Sequence, residues 1–283
     1  VTFFGTRGSC PCAGEGYQRY GGNTSCVLVT IPESDPLILD LGTGLRGLGT
    51  WLATQLKAEG KPLRASALLT HLHYDHLLGL PFFSPLQDPG AVLNIYGPTQ
   101  PDGPLSEVVP RAVQPPFFPL QLKEFRGEVH LYEAETADMV GDGYRAIARR
   151  VDHPGATVGY RVSSGDSVLA YIPDHQAPLD RQLVPDAVHE LCDGADVLIH
   201  DAQYSDEEFA LLPDWGHSTV AYAVQVAVSC GVKHLVLFHH DPTHDDDEVD
   251  RLVALAQAIP GADQLESITG AREGETLAVG GKQ

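Results

Sequence analysis

The run Thr70-His71-Leu72-His73-Tyr74-Asp75-His76 constrains this chain more than any other stretch. It places three imidazoles and a carboxylate within six residues, directly after the apolar run Ala67-Leu68-Leu69. Such a run reads as a buried strand, and a polar cluster on the loop that ends it reads as a set of metal ligands. His71 and His73 alternate, so in an extended or tightly turned loop both rings reach the same side and can grip one ion. Asp75 and His76 fall where a helix should begin, which aims them at a second point beside the first. Two adjacent metals are the expectation.

The histidine motif, continued by Gly79-Leu80-Pro81, resembles the metallo-β-lactamase fold superfamily, whose HxHxDH pattern is matched by His71, His73, Asp75 and His76. Later features resemble its phosphodiesterase branch, which includes tRNA 3′-processing endonucleases and cyclic-phosphate phosphodiesterases. The resemblance implies an α/β (α+β) chain folded as a four-layer αββα sandwich, with a dinuclear metal site along one edge. Periodicity alone gives α/β or α+β.

Strands are predicted at Val1 to Phe4, Cys26 to Val29, Pro36 to Asp40 and Ala67 to Leu69, with a helix over Leu45 to Leu56. The later half repeats the texture. Strands are predicted at Tyr144 to Val151, Val158 to Val162, Ser167 to Ile172, Val197 to His200 and Leu235 to Phe238. Helices are expected near Pro185 to Cys192, Thr219 to Ser229 and Asp247 to Ala258. The whole of 1–283 reads as one domain. Between the halves, 97–127 holds seven prolines, which argues against a regular element and suggests an insertion or lid over the pocket. Within it Phe117-Phe118 could stack on a base or sugar, or simply anchor the segment to the core. Arg111 could meet a phosphate.

The resemblance extends to the remaining ligands. His153, ahead of Gly159-Tyr160-Arg161, stands where family phosphodiesterases have a ligand histidine. Asp174, ending Leu169-Ala170-Tyr171-Ile172-Pro173, stands where an aspartate bridges the metals. His239 stands at the end of the final strand, with His240 as its rival. The implied sets are His71, His73 and His153 for one ion, and Asp75, His76 and His239 for the other, bridged by Asp174. Asp75 counts among the catalytic residues too. His175 reads as an edge residue or one behind the ligands. His200-Asp201-Ala202-Gln203 resembles the His-Glu-Ala-Thr segment of the tRNA endonucleases, and Gly216-His217-Ser218-Thr219 matches their Gly-His-Ser-Thr. Asp201 with His217 then supplies a proton donor. Ser218 is a candidate cap for the helix that follows.

The balance of 18 Lys and Arg against 38 Asp and Glu gives a formal charge of −20, which opposes broad attraction to nucleic-acid backbone. A small anion is compatible with it, because two divalent ions make a pocket locally positive. The chain lacks an apolar run of about eighteen residues and a basic-then-apolar start, so neither a membrane span nor a signal peptide is expected. Five scattered cysteines fit a reduced, cytoplasmic setting. The expected activity is hydrolysis of a small or cyclic phosphodiester, such as a cyclic nucleotide or cyclic ribosyl phosphate, by water activated between the ions with His217 assisting. Zinc is the first choice of metal and manganese is left open. The other readings are a tRNA 3′ endoribonuclease, a lactonase-type hydrolase, and a nucleotide-binding sensor without turnover. A homodimer is left open.

Overall fold

The computed structural model describes residues 1–135, 138–180 and 183–280. Six strands form the first sheet in sequence order: β1 (Thr2–Gly5), β2 (Cys26–Val29), β3 (Leu37–Leu39), β4 (Arg64–Leu68), β5 (Val92–Gly97) and β6 (Glu128–Glu133). A second sheet holds β7 (Met139–Gly141), β8 (Tyr144–Arg150), β9 (Val158–Ser164), β10 (Ser167–Ile172), β11 (Val197–Asp201), β12 (His234–Phe238) and β13 (Ser267–Gly270). Strands β3 to β6 run parallel to one another, as do β10 to β13. Strand pairs of this kind leave their carboxyl ends along a common edge, which is where the histidine motif lies.

The period-2 alternation of the strands sorts side chains into layers. In β2, Cys26 and Leu28 face α1 (Leu45–Glu59), whereas Val27 and Val29 face the other sheet. In β10, Leu169 and Tyr171 point between the sheets, and Ala170 and Ile172 meet the outer helices. Those helices are α4 (Asp186–Cys192), α6 (Val220–Ser229) and α7 (Asp246–Ala258); α2 (Tyr74–Leu77), α3 (Leu105–Ala112) and α5 (Asp206–Leu211) complete the set among the described residues. The result is helix, sheet, sheet, helix, as expected. Helix α1 buries Leu45, Leu48 and Leu52 at helical spacing, each contributing about 1.5–3 kcal/mol of apolar burial. It ends at Gly60, whose φ of 68° suits a residue without a side chain and turns its N–H back to Leu56 and Lys57.

Two local expectations are corrected. Residues 97–127 do contain a regular element. Pro104 caps α3 from an extended conformation, where a missing N–H costs nothing, and Pro110 forfeits only one bond near the far end of the helix. Leu105, Val109, Val113, Leu122 and Phe125 bury this segment against the first sheet. Phe118 packs on Phe82 and Phe125, while Phe117 is exposed and Arg111 donates to the Asp102 carbonyl. Closure of this segment over the site finds no support in those contacts. The cap of α6 is Thr219, whose hydroxyl accepts from Tyr222 N–H; Ser218 instead donates to the His175 carbonyl. Among the described residues, no helix is long and apolar enough to cross a membrane.

Candidate metal centre

Strand β4 delivers Thr70 and His71, and the loop turns at His73 into the four-residue helix α2, which carries Asp75 and His76. Strand β8 leads to His153, β10 to Asp174, and β12 to His239, which adopts a left-handed φ of 59°. These residues converge. His71, His73 and His153 form one group of neighbouring donor atoms, and Asp75, His76, Asp174 and His239 form another. Asp174 links them: its Oδ1 lies 4.0 Å from His71 Nε2, 3.8 Å from His153 Nε2 and 3.3 Å from His239 Nε2, and its Oδ2 lies 3.0 Å from His76 Nε2.

The far nitrogens of the rings decide what the near ones can do. His76 Nδ1 donates to Asp40 Oδ2 at 2.8 Å, His153 Nδ1 to the Gly216 carbonyl at 2.7 Å, and His239 Nδ1 to Gln203 Oε1 at 2.8 Å. A neutral imidazole carries one proton, so in the neutral form of these rings each Nε2 is a bare lone pair. Yet His76 Nε2 and His239 Nε2 stand 3.4 Å apart, His153 Nε2 stands 3.2 Å from His73 Nδ1, and buried His71 Nε2 has no partner. Lone pairs and carboxylates aimed at common points repel one another unless cations sit among them. The donor set therefore fits two divalent ions of the kind that accept nitrogen and oxygen together.

Electrostatics divide the rings. Burial pushes His71 well below the usual imidazole range, and lowers His73 and His153 less strongly. Burial alone would raise Asp174, but His239, His76 and His71 hold it well below the ordinary carboxylate range. His76 differs: Asp174, Asp75 and Asp40 outweigh burial and raise it well above the usual imidazole range, so without an ion a proton stands among those carboxylates, and a bound ion takes its place.

A second arrangement lies beside the first. His217, at the start of the turn into α6, donates Nδ1 to Asp201 Oδ2 at 2.9 Å. Asp201 is fixed in turn by N–H groups of His175 at 3.0 Å and Gln203 at 3.0 Å. Burial opposes protonation of His217, but Asp201 outweighs it and raises the imidazole to about 9. A cavity of about 380 Å³ opens over the cluster, with Ser9, Leu72 and Tyr74 among its walls and His217 at its lining.

All the candidate residues thus stand together at one edge. His240 does not join them. Its Nε2 reaches the Ala271 carbonyl at 3.0 Å, it packs on Tyr20, and burial with Arg7 nearby pushes it down to about 3. His175 turns inward, with its Nδ1 3.2 Å from His200 Nε2. Sequence reasoning missed Asp40, which accepts from His76, from Thr70 N–H at 2.7 Å and from Tyr171 at 2.8 Å. A carboxylate ending a buried strand was the available signal. It also missed the Ser9 N–H that meets Asp75 Oδ2 at 2.7 Å, for which a glycine-rich loop gives no specific sign.

A family model described as the beta-lactamase superfamily domain matches residues 37–240. The chain belongs to that superfamily. Among curated superfamily relatives, the Ribonuclease Z of Gemmatimonas aurantiaca is 26% identical over 298 residues, covering 88% of each chain. That of Brevibacillus brevis is 29% identical over 280 residues, covering 79% of this chain and 88% of its own. Among solved structures, the metallo-beta-lactamase fold protein YhfI of Bacillus subtilis superposes with a TM-score of 0.70 at 17% identity, covering 99% and 98% of the two chains. Human tRNase Z, short form, gives 0.65 at 22% over 99% and 98%. A diphosphatase of the PhnP family gives 0.65 at 22% over 98% and 96%. These structural likenesses establish the fold expected from the histidine motif.

Proposed function

We propose that the chain cleaves a phosphodiester, and that the observation carrying this is the Asp201 to His217 pair beside a two-ion donor set. The chain is a metal-dependent hydrolase of the phosphodiester-cleaving kind, in line with its Ribonuclease Z relatives. In this reading His71, His73 and His153 would hold one ion, Asp75, His76 and His239 the other, and Asp174 both. Bound divalent ions, zinc by preference for a histidine-rich set, supply Lewis acidity toward a phosphoryl oxygen and lower the pKa of water.

The protein's own part is positioning and proton handling. Asp40, Gly216 and Gln203 fix the three rings so that bare nitrogens face inward. Asp201 keeps the proton on His217 and occupies Nδ1, which leaves Nε2 to give its proton to a leaving oxygen. Ser9 N–H restrains Asp75 from the opposite element. Leu72 and Tyr74 give the cavity an apolar wall against which a sugar or base can rest.

Two readings of the ester differ in size. The relatives' names favour tRNA 3′ processing over the cyclic phosphate expected from the sequence. Two features of this chain favour a small ester. Its charge of −20 opposes a long polyanion, and the cavity suits a mononucleotide better than a folded RNA. We hold the small phosphodiester as the first reading and the tRNA trailer as the second. Metal-loaded protein should be assayed on 3′,5′-cyclic nucleotides, 2′,3′-cyclic phosphates, a linear aryl phosphodiester, a pre-tRNA and a lactone, with Asp174→Ala as the blank. Preference for one small phosphodiester supports the first reading. Trailer cleavage at far higher kcat/KM supports the second, and turnover of the lactone alone refutes both.

A further inference from the structure

We infer that Gln203 is a positioning residue that fixes which nitrogen of His239 faces the metal centre, and that it does so under the direction of Asp241. This rests on the reading of His239 as a ligand. Gln203 ends the His200-Asp201-Ala202-Gln203 segment, where the segment it resembles ends in threonine, and its side chain is buried.

The amide is held from both ends. Its Nε2 donates to Asp241 Oδ2 at 3.0 Å and to Tyr204 Oη at 3.2 Å, and its Oε1 lies 2.8 Å from His239 Nδ1. A carboxylate can only accept, so the NH₂ group must be the end that faces Asp241. The amide oxygen then faces His239 and can also only accept. The proton of His239 is therefore placed on Nδ1. That leaves Nε2 bare, 3.1 Å from Asp75 Oδ2 and 3.3 Å from Asp174 Oδ1. The opposite tautomer would aim an N–H into the space where an ion binds, and would leave an oxygen and a nitrogen lone pair facing each other at the amide.

The two sides of this ion are thus built differently. His76 is oriented by a carboxylate, Asp40, in direct contact. His239 is oriented by a carboxylate acting through a neutral amide. Glutamate cannot replace the amide in isolation, because Gln203→Glu would set a second carboxylate against Asp241 at about hydrogen-bond distance and force one of the two to hold a proton. Reversing the polarity of the pair should work. In Gln203→Glu/Asp241→Asn the new carboxylate accepts from His239 and the new amide donates to that carboxylate, so every group has its partner. The same residue also donates its main-chain N–H to Asp201 Oδ1. A single position thereby ties the ligand side of the site to the proton donor, and its side chain can be varied while that main-chain bond stays.

The test measures zinc affinity by competition with a chromophoric chelator for the wild type, Gln203→Ala, Gln203→Glu and Gln203→Glu/Asp241→Asn. Side-chain ¹⁵N shifts of His239 are recorded in parallel on zinc-free protein. The expected result is that Gln203→Ala and Gln203→Glu each weaken one zinc by about 10- to 100-fold and leave the other unchanged. The double variant should restore the weakened site, and wild-type His239 should carry its proton on Nδ1. A merely structural role would not be rescued by the reversed pair. Wild-type affinity at both sites in Gln203→Ala, or a Gln203→Glu variant that binds as well as the double, would overturn the inference. So would a zinc-free wild type whose His239 carries its proton on Nε2 and none on Nδ1. A wild type that shows the Nδ1 tautomer but takes up no zinc would instead overturn the metal reading of the site.

Discussion

Tyr171 on β10 donates its hydroxyl to Asp40 Oδ2 at 2.8 Å, so a side chain of the second sheet holds the carboxylate that ends β3 of the first. Asp40 also accepts from His76 Nδ1 and Thr70, and all these groups are buried. The sheets are joined at the metal edge by this polar chain as well as by apolar packing. Tyr171→Phe keeps the ring but leaves a buried carboxylate short of one donor. Urea unfolding should show a loss of about 1.5–3 kcal/mol, the usual worth of a hydrogen bond to a charged group. An unchanged midpoint would mean that Asp40 is satisfied without Tyr171.

The dyad makes a prediction about pH. Without ions, His217 is raised to about 9 because Asp201, joined by Asp174 and Asp75, outweighs burial. Its proton is therefore present below that value and lost as pH rises through it. If His217 donates in turnover, kcat should fall on the alkaline side, with a midpoint below the value of about 9 because bound ions neutralise Asp174 and Asp75. Asp201→Asn removes the raising charge and should move that limb to lower pH. The same sign applies to folding: the dyad's contribution is full below about 6.5 and disappears as pH rises through about 9. His217→Ala should cost about 10²–10⁴-fold in kcat with the metal content of wild type. Loss of an ion in that variant would reassign His217 as a ligand.

Chelation should destabilise the fold. The inward lone pairs of His76, His153 and His239 and the carboxylate of Asp174 gain a cation only when metal is present. An ion that binds the folded state alone stabilises it by mass action, about 2.7 kcal/mol per site at a free concentration of about 100 Kd. Thermal unfolding with chelator and with excess zinc should differ by several degrees. Coincident transitions would mean that the cluster holds no ion.

How legible this was depended on distance along the chain. His71 to His76 could be read because one short segment carries both the residues and their geometry. His153, Asp174 and His239 were named only through the resemblance to the superfamily, and the structure brings them beside the motif; β2 and β10 matched their expected bounds because period-2 alternation or buried runs mark them. Gln203, Ser9 and Gly216 were invisible as partners, and Asp40 showed only as a carboxylate closing a buried strand. Each acts through a hydrogen bond across 36 or more residues, set by packing that no local pattern encodes. The prolines of 97–127 misled for a related reason. A proline breaks a helix only where its N–H is needed, and at Pro104 it is not.

Gly8 gives the sharpest steric prediction. A Cβ built there would lie 2.9 Å from His239 Cγ and closer still to Nδ1 and Cε1, nearer than any real methyl group approaches. The loop cannot back away cheaply. Gly8 N–H is bonded to the His240 carbonyl at 3.0 Å, and the next N–H, of Ser9, holds Asp75 at 2.7 Å from a left-handed φ of 59°. Gly8→Ala must therefore move the His239 ring off Gln203 and away from Asp75 and Asp174. The expected outcome is one bound zinc in place of two by native mass spectrometry. It should come with about 1–3 kcal/mol of lost stability, the usual cost of overpacking. Two tightly held ions in Gly8→Ala would show that the ring is not pinned as described, and would remove the steric half of the case for His239 as a ligand.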